Sequence, residues 1–124
     1  MQVFRGKVVK GKSRGKDLGF PTANIAVHQK IEEGIYLGKS QTSKPKSQDL
    51  PSLIFIGSAK TFGEKDYKAE VYILDFKGDL YGKYITVHVL KKIRDNKKFD
   101  SQEELIEQME KDLEVAKKFF APWC

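Results

Sequence analysis

Three side chains stand out by type and spacing as able to do chemistry: the hydroxyl of Thr22 and the amide of Asn24 in "RGKDLGFPTAN", and the carboxylate of Glu70 in "YKAEVYILDF". Pro21 fixes its own φ and pushes Phe20 away from the α region, so "FPTAN" runs extended. Alternate side chains of an extended segment share a face, which sets Thr22 beside Asn24. A hydroxyl and an amide oxygen side by side are hard, neutral ligands, suited to one edge of a Mg²⁺ ion whose other ligands are waters and phosphate oxygens. Upstream, Gly11 and Gly15 let the backbone approach phosphates, while Lys12, Arg14 and Lys16 supply positive charge. Residue by residue, the stretch reads either as a nucleotide cradle or as a turn-rich surface loop, and its spacing is not that of a Walker A motif.

Glu70 shares a strand face with Tyr72 and Leu74, opposite Ala69, Val71 and Ile73, so it is either a rim residue or a partly desolvated base. Asp75 and Asp79 bracket a turn. In "IRDNKKFD", Asp95 or Asp100 satisfies local backbone donors ahead of a helix, and Arg94 is suited to a planar or anionic ligand or to plain solvent. His28 and His88 lack zinc-ligand spacing and read as surface residues. No GxSxG, CxxC or paired-carboxylate pattern is present, which argues against zinc chemistry and metal-free acyl transfer. The single cysteine, Cys124, has no partner for an internal disulfide.

These residues need a scaffold. The 124-residue chain, 40% hydrophobic, suits one packed domain over 1–124. No apolar run approaches a membrane span and the N-terminus lacks a signal-peptide pattern, so a cytoplasmic protein is expected. The net charge of +6 is concentrated, with Arg5, Lys7, Lys10, Lys12, Arg14 and Lys16 all preceding the first acid, Asp17. Such a cluster attracts anions or is simply a solvated basic face.

Strands are expected over 3–10, 34–41 and 52–57, and a hairpin from "KAEVYILD" and "LYGKYITVHVL" around "FKGD", with 11–24 as a loop. In the second arm Ile85, Val87 and Val89 share one face. After "KKIRDNKKF" the period changes to about 3.6 residues. Leu105, Met109, Leu113, Ala116 and Phe120 form an apolar stripe, and Ser101 with Glu104 has capping-box spacing. Five or six strands followed by one helix suggest a small antiparallel barrel that the helix plugs or flanks.

In this order the blocks resemble the riboflavin kinase (flavokinase) family. "GKVVKGKSRGKDLGFPTANI", "GIYLG" and the run from "AEVYILDF" through "GDLYGKYITVHVLKKIRDNKKFDSQEELIEQMEKDL" carry the likeness over most of the chain. The resemblance implies a six-stranded antiparallel Greek-key barrel over about 1–92 with one C-terminal α-helix over about 101–119. It implies transfer of the ATP γ-phosphoryl group to the ribityl 5′-hydroxyl of riboflavin, giving FMN and ADP, with Mg²⁺ accompanying ATP.

By position, Glu70 matches the catalytic base, and Thr22 with Asn24 the Mg²⁺ and nucleotide ligands. Gly11, Lys12, Gly15, Lys16, Tyr81 and the backbone around Ile73 and Asp75 match nucleotide contacts, and Arg94, Lys97, Glu104 and Met109 flavin contacts. The implied partners are small-molecule substrates only, with no nucleic acid, no membrane and a monomeric protein. The rival of the same fold is a catalytically weak flavin-binding or regulatory module. Where the family carries a proline in the loop after "LIFIG", this chain has Lys60. Its length leaves no room for the FMN adenylyltransferase domain of many bacterial relatives, so its chemistry is expected to stop at FMN.

Overall fold

Apolar and polar residues alternating along most of the chain produce six strands, and the later helical repeat produces one helix. The structure, a computed structural model, describes residues 2–9, 23–28, 31–42, 49–58, 67–74 and 80–121. In chain order the elements are β1 (Gln2–Val9), β2 (Ala23–Val27), β3 (Gly34–Thr42), β4 (Leu50–Ser58), β5 (Tyr67–Ile73), β6 (Tyr84–Arg94) and a C-terminal helix α1 (Gln102–Phe120). The strands close into one barrel in the order β1-β2-β5-β4-β3-β6, with every pairing antiparallel. β3, β4 and β5 form a meander, β2 returns beside β5 and β6 beside β3, which makes two overlapping Greek keys.

Three local expectations are corrected. β5 and β6 do not form a hairpin: β5 pairs with β2 and β4, and β6 with β1 and β3. Closure gives each strand two partners, and the edges of β5 are satisfied by strands distant in sequence. The segment 11–24 is not loop to its end, because Ala23 and Asn24 already belong to β2. Ile93 and Arg94 are the last residues of β6 rather than part of the loop leading into the helix.

The helix flanks the barrel instead of plugging it. Phe4, Ile25, Ile54, Val71, Ile85 and Val87 fill the interior. A second apolar cluster joins Ile35, Leu37, Leu53 and Leu74 on the outside of the sheet to Ala116 and Phe120 of α1. These two clusters explain the unbroken apolar run "LIFI": Ile54 and Ile56 face inward while Leu53 and Phe55 face the helix side. The interior also holds a polar pair, Ser40 and Ser52, whose hydroxyls lie 2.8 Å apart while the Ser52 hydroxyl donates to the Leu50 carbonyl at 2.9 Å. Both buried hydroxyls are thereby satisfied.

β3 crosses β6 with register shifts on either side of Tyr36–Leu37, and Gly38 follows the second. A Cβ at Gly38 would overlap the His88 carbonyl oxygen and Cδ1 of Ile54, one of which is backbone and cannot rotate away. Gly38→Ala therefore destabilises the fold by about 1–3 kcal/mol, the usual cost of overpacking. A fall in the urea midpoint at unchanged m-value is the measurement that checks it.

Candidate active site on the outer face of the barrel

Directly opposed residues of antiparallel strands point to the same face, their Cβ atoms about 4.5–5.5 Å apart. The register draws one row across the outside of the barrel: Val9, Asn24, Glu70, Phe55, Ile35 and Arg94. Asn24 on β2 and Glu70 on β5, 46 positions apart in sequence, become immediate neighbours. Asn24 is only 4% exposed although it faces away from the barrel interior. Among the described residues its buried Oδ1 has no hydrogen-bond partner. A buried amide oxygen in that condition is costly unless something completes its coordination.

Glu70 is half-buried, with Asn24 on one side of the row and Phe55 on the other, and Tyr72 follows it on the same face. It thus sits between the Asn24 amide and the Phe55 ring. Tyr81, 55% exposed, occupies the turn Leu80–Lys83, in which the Lys83 amide donates to the Leu80 carbonyl at 2.9 Å. Gly82 takes φ +81° there, the left-handed position a type II turn requires. The Gly82 amide donates to the Val8 carbonyl at 2.9 Å, tying Tyr81 to the end of β1 opposite the start of β2. Ile73 turns its side chain into the interior core, so only its backbone is available to a ligand. Gly11, Lys12, Gly15, Lys16, Thr22 and Asp75 lie outside the described residues, as does Lys60.

The remaining expected site residues gather at a second place, the corner where β6 leads into α1. Along the row, Arg94 stands three strand spacings from Glu70, roughly 14 Å. Its guanidinium is taken by Asp112 of α1: Nε donates to Oδ1 at 2.8 Å and Nη2 to Oδ2 at 2.6 Å, while Nη1 donates to the Asp95 carbonyl at 3.1 Å. Lys97 is exposed with its ammonium 5.9 Å from the centre of the Phe99 ring. Glu104 closes the capping box, its amide donating to Ser101 Oγ at 3.2 Å and its carboxylate accepting from the Asp100 amide at 3.1 Å. Met109 is buried on the same helix.

Ionic contacts fix this corner. The Lys92 ammonium lies 2.7 Å from both Asp95 and Glu32, and its bonds to the two carboxylates, that to Asp95 foremost, hold its pKa above the ordinary lysine value. The same bond holds the Asp95 carboxyl below its usual range. Burial raises the Tyr36 phenol, which donates to the Glu32 carbonyl. The Asn96 amide donates to the Ile56 carbonyl at 3.0 Å, pinning the segment after β6 to β4.

Asp112 and Asn96 were not singled out from sequence. Asp112 had a legible signal: it falls three residues after Met109 and four before Ala116, so a carboxylate stands on the apolar stripe and demands a partner. Asn96 had none, because its partner is a backbone carbonyl forty residues away.

Among the described residues no group of three His, Cys, Asp or Glu side chains could hold a metal ion. No helix there is long and apolar enough to cross a membrane.

A family model described as flavokinase, riboflavin kinase, matches residues 2–120. An RNA-binding riboflavin kinase from Bacillus subtilis is 38% identical over 122 residues, covering 96% of this chain and 52% of that protein. Among solved structures, riboflavin kinase from Trypanosoma brucei superposes with a TM-score of 0.65 at 26% identity, covering 96% of this chain and 79% of that one. A structure titled macrolide-efflux protein, from Streptococcus pneumoniae, superposes with a TM-score of 0.80 at 34% identity, covering 93% of this chain and 38% of that one. The first curated relatives are longer proteins, of which the chain spans between 18% and 52%.

Proposed function

This chain belongs to the riboflavin kinase family, and on that premise we propose that it transfers the γ-phosphoryl group of ATP to the ribityl 5′-hydroxyl of riboflavin, giving FMN and ADP. One observation carries the reading: Asn24, whose buried Oδ1 has no partner among the described residues, stands beside Glu70 across β2 and β5. A cation ligand and a base held close together suit this reaction, because both would act on the same transferred group. An orphaned neutral oxygen fits a hard divalent cation better than it fits a structural role.

Thr22 and Asn24 would hold the Mg²⁺, which when bound neutralises charge on the nucleotide phosphates. Phosphoryl transfer has a loose transition state, so the protein contributes chiefly position and charge. Gly11, Lys12, Gly15 and Lys16 cradle the phosphates, with Tyr81 and the backbone about Ile73 and Asp75 contacting the nucleotide. Glu70 orients the ribityl hydroxyl and accepts its proton as the oxygen–phosphorus bond forms. The corner of Arg94, Lys97, Glu104 and Met109 takes the flat isoalloxazine, and Phe55 lies on the row between that corner and Glu70. The protein acts as a cytoplasmic monomer on small molecules. RNA binding is named for the Bacillus subtilis relative, and nothing in this mechanism calls on it.

The test is incubation with riboflavin and a panel of nucleoside triphosphates, with identification of the flavin product. FMN formed at the expense of ATP supports the reading. Flavin binding without FMN leaves only a binding module, and indifference to riboflavin overturns both. Thr22→Ala and Asn24→Ala are each expected to weaken Mg-nucleotide binding by about tenfold, one lost ligand being worth roughly 1–2 kcal/mol. Calorimetric titration with Mg-ADP checks this, and unaltered affinity in both variants refutes the cradle.

A further inference from the structure

Arg94 cannot serve a ligand with its full hydrogen-bonding fork, because that fork is already engaged. Two of its nitrogens bind Asp112 and the third binds the Asp95 carbonyl. Asp112 is 2% exposed, and its Oδ1 accepts a further bond from Gln108 Nε2 at 3.1 Å. A carboxylate so deeply buried on a helix requires a fixed partner, and a bidentate pairing specifies direction as well as distance. The pair therefore sets where α1 sits relative to the end of β6.

That end is the start of the segment carrying Lys97. The segment is held at three further points: Asp95 by Lys92, Asn96 by the Ile56 carbonyl, and Asp100 by Glu104. Between these anchors Lys97 and Lys98 are exposed. Nothing in the ion pair reaches toward Asn24 or Glu70, which stand several strands away along the row.

We infer that Asp112 is a positioning residue, which through Arg94 holds the 95–100 segment in place and so sets affinity for the flavin while leaving affinity for the nucleotide alone. This rests on the proposed kinase reading, in which that segment borders the flavin. Asp112 touches no substrate in this scheme. Its effect is transmitted by Arg94 and the backbone of Asp95, and Asn96 is a second, independent anchor of the same segment.

The experiment measures riboflavin affinity by quenching of flavin fluorescence, with and without Mg-ADP, and Mg-ADP affinity by calorimetry. The proteins are the wild type, Asp112→Asn, Asn96→Ala and Gly38→Ala, the last as a variant destabilised in the barrel away from the site. Asp112→Asn and Asn96→Ala are expected to weaken riboflavin binding roughly tenfold, the order seen when a supporting group rather than a ligand-touching one is lost. Mg-ADP affinity stays within about twofold in both, and Gly38→Ala changes neither constant by more than that. Should Asp112→Asn fail to fold, Asp112→Glu, which keeps the charge but displaces the carboxylate from the bidentate pairing, takes its place and decides. Riboflavin affinity unchanged in the folded variants, or lowered equally by Gly38→Ala, overturns the positioning role while the kinase reading stands. A wild-type protein that binds no riboflavin removes the kinase reading and this inference with it.

Discussion

On the proposed reading, Glu70→Gln is expected to lower turnover by about 10²–10⁴-fold while riboflavin affinity changes by no more than about twofold. The amide keeps the shape of the carboxylate and can still accept a hydrogen bond from the ribityl hydroxyl, so the substrate remains oriented. It cannot take up the proton that must leave as the oxygen–phosphorus bond forms. The loss therefore appears in kcat and kcat/KM together, the signature of an interaction made in the transition state. The position argues for this outcome: Glu70 is half-buried, paired across the sheet with Asn24 and flanked on the other side by Phe55. A steady-state comparison at saturating ATP is sufficient. If kcat is nearly unchanged, Glu70 is a rim carboxylate and the base lies elsewhere.

Asp112→Ala destabilises the fold by about 3 kcal/mol, the lower end of the cost of breaking a buried ion pair. The lower end applies because the Arg94 side chain keeps 20% of its surface exposed and recovers some hydration once its partner is gone. The double variant Arg94→Leu, Asp112→Leu is expected to regain most of the loss, since a pair of apolar side chains of similar volume incurs no desolvation. Urea denaturation of the single and double variants separates the two contributions. Equal losses in both would mean that helix packing, not the unpaired charge, sets the cost.

The contrast between these residues shows how far sequence reasoning reached. Glu70 was identifiable as a carboxylate among large apolar neighbours, and Asn24 as half of an extended pair with Thr22. Their adjacency was not, because β2 and β5 meet through closure of the barrel rather than through any local pattern. For the same reason β5 and β6 looked like a hairpin: alternation reports which residues face inward, and a strand's partner is invisible to it. Arg94 stands out in the sequence for its charge and its place before the helix. Its occupation by Asp112 depended on α1 folding back onto the barrel, eighteen positions later in the chain.

By itself the sequence determined the kind of elements and five of the six strands, the alternation of faces along them, the capped helix with its apolar stripe and, through the combination of its blocks, the family. These follow from periodicity and local backbone chemistry, which act over a few residues at a time. Tertiary structure alone decided the strand order, the row that sets Asn24 beside Glu70 with a buried oxygen unpartnered among the described residues, and the engagement of Arg94 by Asp112. Each of these depends on contacts between segments distant in the chain. Such contacts form only when two apolar surfaces, the barrel interior and the face beneath α1, are buried together, and no short stretch of sequence carries that information.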